Sequence, residues 1–180
     1  MTEPKPFDIL ADAAERYGRA SLDNYAQVRN VAENVQAGFC RYLSGGEKVC
    51  VYLVPPEGAW SPQAYQSGAF SVSGTGFLPL DPISFGLAVR VSRTGDWLRL
   101  VLSCAKMGPE MEITIQNGGQ FSLTLPASPE QLKQLFDLLY GHLTAWFVQQ
   151  ADLYENGEYG GRSIGFDFLH SPNGDSGPVV

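Results

Sequence analysis

The sequence predicts an α+β fold: an antiparallel meander sheet of about six strands, flanked by an N-terminal helical segment and a long C-terminal helix, with a short final strand. Three observations predict it. Helical periodicity is confined to two flanks, about 7–43 and 128–155. Two-residue alternation fills the middle. No strand alternates with a crossover helix, which a parallel sheet would need.

Residues 1–6 are polar and carry two prolines, so they are expected to be a tail. From Phe7 to Leu43 apolar residues recur at three and four: Leu22, Tyr25, Val28, Val31, Val35, Phe39 and Tyr42. That spacing marks one face of a helix. Gly18 or Ser21 is expected to break it into a short piece and a longer one. Ser44-Gly45-Gly46 stops it, because glycine accepts the left-handed cap geometry.

Lys48–Val54 predicts a strand with Val49, Val51 and Leu53 on one face. Residues 55–67 form a long proline-rich loop, and 69–73 a weak strand. In 83–91, Phe85, Leu87, Val89 and Val91 alternate with smaller or polar residues. In 97–104, Leu98, Leu100, Leu102 and Cys104 alternate with Trp97, Arg99, Val101 and Ser103. Gly95 lets the short link between these runs turn. Met111, Ile113 and Ile115 lead into Asn117-Gly118, a strong hairpin signal, and Phe121, Leu123 and Leu125 return. Ser128 caps the long helix, Pro129 fits its first turn, and Gln131 is placed to close a capping box. Asn156-Gly157 ends it. Ile164, Phe166 and Phe168 alternate in a last strand, and 171–180 is a second tail. The whole of 1–180 is expected to be a single domain.

Composition narrows function by exclusion. The chain has 180 residues, 44% hydrophobic, and only 17% charged, where about 25% is usual. So few charges suggest that the sheet's second face is covered rather than wet. Net charge is -7, and residues 127–180 hold two basic against seven acidic side chains. No positive stripe exists to displace counterions, so neither nucleic acid nor an anionic membrane is an expected partner. A basic peptide or protein fits better. No apolar run approaches a membrane span, and no signal peptide precedes Phe7. Cys40, Cys50 and Cys104 are odd in number and widely spaced, so they are expected to be small core residues in a reducing cytoplasm.

No motif carries catalysis. Gly161-Arg162-Ser163-Ile164-Gly165 matches a nucleophile elbow, but a strand follows it where a helix should. Ser103-Cys104-Ala105-Lys106 matches S-x-x-K, but on a strand rather than a helix. His142 and His170 are the only histidines and show no zinc-ligand spacing. Neither a metal nor a cofactor is expected. Trp60 and Tyr65 stand on the stiffened 55–67 loop, as recognition anchors or as a cap folded back on the sheet. Trp97 shares the polar face with Arg99, which implies a cover from the N-terminal helix or a partner. Tyr154 and Tyr159 flank an acidic helix end, where Arg162 is available to compensate. With His142, these are the candidate binding residues.

The expected function is a non-catalytic, cytoplasmic, protein-binding domain of adaptor, escort or inhibitor type, able to self-associate. The alternative is a small-molecule binder or enzyme. Its apolar pocket would be lined by Phe85, Leu100, Ile113, Phe136 and Leu139, between the sheet and the long helix.

Overall fold

The computed structural model describes residues 3–45, 49–72, 77–158 and 166–170. Its elements are α1 (Pro6–Ser44), β1 (Val51–Val54), a 3₁₀ turn (Gln66–Ala69), β2 (Ile83–Arg90), β3 (Asp96–Met107), β4 (Glu110–Ile115), β5 (Gln120–Thr124), α2 (Pro129–Glu155) and β6 (Asp167–His170). The α+β class and the antiparallel sheet are as the sequence predicts.

The N-terminal flank is one helix of 39 residues, not two. Pro6 occupies the first turn, where its missing N–H costs nothing. The chain does not break at Gly18 or Ser21, and the Ser21 hydroxyl donates back to the Gly18 carbonyl (2.9 Å) within the helix. Tyr17 also donates to the Leu78 carbonyl (2.7 Å), which pins this turn to the rest of the chain. Gly45 ends α1 in the left-handed conformation (φ 69°). At α2, Ser128 accepts from the Gln131 amide (3.2 Å). The Gln131 side chain does not complete a capping box; it reaches Thr124 on β5.

The sheet runs β1-β2-β3-β4-β5, each pair antiparallel. β3 is long enough to serve two strands along one side. Its residues 102–107 pair β4, and its residues 96–99 pair β6. Of the expected 69–73 strand, the described residues 69–72 show the end of the 3₁₀ turn and a single bridge, Phe70 to Phe85. β1 starts at Val51, and Val49 is exposed.

Register decides what each face carries. Leu87 pairs Leu100, Phe85 pairs Leu102, and Cys104 pairs Ile113. These residues face the helices and join Val28, Val35, Phe39, Leu135 and Leu139 in one buried cluster. Each such large apolar side chain contributes roughly 1.5–3 kcal/mol through burial.

Two cysteines depart from the expectation of plain core residues. Cys40 and Cys50 are joined as a disulfide with Cα atoms 5.4 Å apart. The reversal at Gly45 brings the start of β1 beside the last turn of α1, within bridging range. Cys104 is free and buried, and burial pushes its thiol up to about 12. Alkylation read by mass spectrometry should therefore add nothing to the oxidised folded chain. It should add one group after unfolding without reduction, and three after unfolding with reduction.

Candidate functional site

On its outer face, away from the helices, the sheet is capped by the chain itself. Val54, Ala88 and Trp97 form a second buried cluster, with Tyr52, Trp60, Tyr65 and Leu169 packed on it. The cover for Trp97 is thus the 55–65 loop and β6, not α1 and not a partner. Trp60 and Tyr65 fold back onto the sheet, and the Tyr65 phenol accepts from the Ser61 amide (3.0 Å).

Arg99 holds this loop in place. It lies on β3 opposite Ala88 on β2 and opposite Asp167 on β6. Only 6% of it is exposed, so its charge must be met inside the protein. One guanidinium nitrogen, Nη1, donates to the carbonyls of Pro55 (3.0 Å) and Gly58 (2.9 Å). The other, Nη2, pairs with Asp167. The Trp60 ring lies under the guanidinium at 5.7 Å. Gly86 makes room for this: a Cβ there would stand 3.1 Å from Arg99 Cδ and 2.9 Å from Val54 Cγ2.

The pinned loop becomes the wall of a trough. Its floor is a row of polar side chains crossing the strands, because Ser84 pairs Ser103, Ser103 pairs Thr114, and Thr114 pairs Gln120. Adjacent strands place these groups about 4.8 Å apart. Over this floor, beside Pro55, Pro56 and Glu57, lies a cavity of about 570 Å³. A second hollow of about 350 Å³ reaches Arg99 and Asp167 and shares Pro56, Glu57, Val101 and Gln116 with the first. The outer face carries Glu57, Glu110, Glu112 and Asp167 against Arg90 and Arg99. Asp167 already meets Arg99.

The other candidate residues lie elsewhere. His142 sits on α2 against the edge of the Phe166 ring, with centroids 5.6 Å apart. Its Nε2 is buried without a partner. Burial holds its imidazole below the usual histidine pKa. The unfolded chain therefore takes up this proton first, and stability falls as pH drops below about 6.5. His142→Leu should remove part of the loss in melting temperature between about pH 7.5 and 5.5. An unchanged pH profile would show that His142 contributes nothing. Asp96, held low by Ser92 and then His170, affects only the more acidic range. Tyr154 is exposed at the end of α2. Tyr159, Arg162 and the Gly161–Gly165 motif lie outside the described residues.

Ser103 and Lys106 point to opposite faces of β3. Ser103 lines the trough, and Lys106 pairs with Asp23 of α1 at 3.5 Å. The S-x-x-K match therefore brings no base to the serine. Among the described residues, no group of three His, Cys, Asp or Glu side chains is placed to hold a metal. No described helix is long and apolar enough to cross a membrane. Phe85, Leu100, Ile113, Phe136 and Leu139 all belong to the buried core, and the 570 Å³ cavity lies on the opposite face.

The sequence points to Arg99 and its aromatic neighbours but not to Ser84, Thr114, Gln116, Glu57 or Asp167. The missing signal was register. Alternation puts Ser84, Ser103 and Thr114 on one face, but only the two hairpin turns align them in a row. No family model matches the chain, and neither a curated protein nor a solved structure matches it.

Proposed function

We propose that this chain is a non-catalytic protein-binding module whose outer-face trough takes an extended, basic segment of a partner. The observation that carries this is the trough: a hydroxyl and amide floor, a wall pinned by a buried arginine, and the Glu57 carboxylate in its lining. A segment of Lys, Ser and Thr residues matches it in charge and in hydrogen-bonding capacity. Glu57 in the lining supplies the attraction, with Glu112 the next outward residue from Thr114 along β4, and the hydroxyl row supplies direction. The Arg99 charge does not repel such a segment, because Asp167 and two carbonyls already meet it.

The test is binding of labelled octapeptides by fluorescence polarisation. A Lys/Ser/Thr peptide should bind, and the same peptide with Glu for Lys should not. Ser103→Arg, which adds bulk and positive charge to the floor, should weaken binding at least about tenfold, or about 1.4 kcal/mol. Equal binding of both peptides, or a Ser103→Arg variant that binds like the parent, would sink the reading. For compartment, the Cys40–Cys50 bridge fits an oxidising environment better than the reducing cytoplasm. Alkylation in denaturant at the moment of lysis should then leave both unlabelled, and two labelled thiols would return the protein to the cytoplasm.

A further inference from the structure

We infer that the first four turns of α1 pair, antiparallel, with the same segment of a second copy of this chain. The buried stripe of α1 begins at Ser21, and residues 6–20 extend about 22 Å before it.

The extension is strongly two-sided. At 100° per residue, Asp8, Asp12, Glu15, Arg16 and Arg19 fall within about 100° of arc, while Phe7, Leu10, Ala14 and Tyr17 line the opposite side with Ala11, Ala13, Gly18 and Ala20 beside them. The large members stay open to solvent: Phe7 is 73% exposed, Leu10 66% and Tyr17 39%. Phe77, 71% exposed, lies beside Tyr17 with ring centroids 6.2 Å apart and enlarges the same patch.

Two features select a second copy as the occupant. The first is area. Taking about 200 Å² for a full aromatic side chain, these four residues and the alanines offer roughly 600 Å² per copy. The pair would bury roughly 1,200 Å², past the ~1,000 Å² a stable interface needs. The second is pattern. Aromatic bulk sits at both ends, Phe7 at one and Tyr17 with Phe77 at the other, with alanine between. A two-fold axis near the level of residue 12 brings Phe7 of one copy onto Tyr17 and Phe77 of the other, and Leu10 onto Ala14. A parallel pair would instead crowd the Tyr17 and Phe77 rings of both copies together at one end. The outer-face trough lies across the sheet from α1, so a dimer formed this way leaves both troughs open.

The experiment is sedimentation of the full chain. The parent should run at twice the monomer mass at about 100 µM, in the range of a modest helix pair. Leu10→Glu, which puts a charge in the middle of the apolar side, should run as a monomer with an unchanged circular dichroism spectrum, because Leu10 is largely exposed in the single chain. A parent that stays monomeric, or a Leu10→Glu chain that stays dimeric, would overturn the inference. Mixed Leu10→Cys and Ala14→Cys chains should cross-link to each other in preference to themselves. Preferred Leu10→Cys self-linkage would instead indicate a parallel pair and overturn the stated geometry.

Discussion

Arg99→Met should be the most damaging single change on the outer face, lowering stability by about 3 kcal/mol. The methionine fills much of the volume but gives no donors. It leaves the half-buried Pro55 carbonyl and the exposed Gly58 carbonyl without the charged donor that met them, and losing hydrogen bonds to a charged group costs roughly 1.5–3 kcal/mol. The bond to Asp167 adds less, because that carboxylate is 61% exposed and water can replace the arginine. For a chain of this length, about 3 kcal/mol lowers the melting midpoint by roughly 6–12 °C. Asp167→Asn should accordingly cost under about 1 kcal/mol, and the contrast between the two variants separates loop anchoring from ion pairing. Arg99→Lys keeps the charge but not the planar fork, so it should fall between them. The wall of the trough should loosen as well. Limited proteolysis should then cut the 55–65 loop, and tryptophan emission should shift to the red as Trp60 leaves its cover. A melting midpoint within about 2 °C of the parent would mean that the loop is held by Trp60 and Tyr65 packing alone.

Part of the molecule was legible in the sequence and part was not, and locality separates the two. Strand alternation is local: Leu98, Leu100 and Leu102 declare one face of β3 wherever that strand goes. Helix caps are local too, so Ser128 and Gly45 mark their ends correctly. The pairing of β6 with β3 is not local. A four-residue strand contributes little signal of its own, and its place beside the first half of β3 depends on Trp146 and Phe147 of α2 meeting Phe166 and Phe168. The Cys40–Cys50 bridge was hidden for the same reason, since spacing cannot show how tightly the chain reverses at Gly45. Trp97 and Arg99 on one polar face correctly implied a cover. Their long-range partners, Trp60 and Asp167, are what the sequence left open.

Gly38→Ala should destabilise the fold by about 1–2 kcal/mol, although alanine is the better helix former by about 1 kcal/mol. Gly38 lies on α1 where α2 crosses it, and a Cβ there would stand 2.5 Å from Phe136 Cζ. The ring has little freedom to retreat, because it packs on Phe39 and Tyr42 with centroids 5.9 and 6.0 Å away. Overpacking a joint of this kind typically costs 1–3 kcal/mol. Phe136→Leu alone opens a space, and it too should destabilise. Combined, the two changes relieve each other, so Gly38→Ala with Phe136→Leu should cost less than their sum by about 1 kcal/mol. Strict additivity in urea unfolding would show that the ring had moved freely after all. The joint also bears on the trough. α2 carries the aromatic pair that holds Phe166 and Phe168, and Asp167 sits between them on Arg99. A shift of α2 should therefore reach Arg99 through β6. Gly38→Ala should be less than additive with Arg99→Met, because the second change has already released what the first one disturbs. Full additivity would confine the joint to the helix layer, with the trough wall standing independently of it.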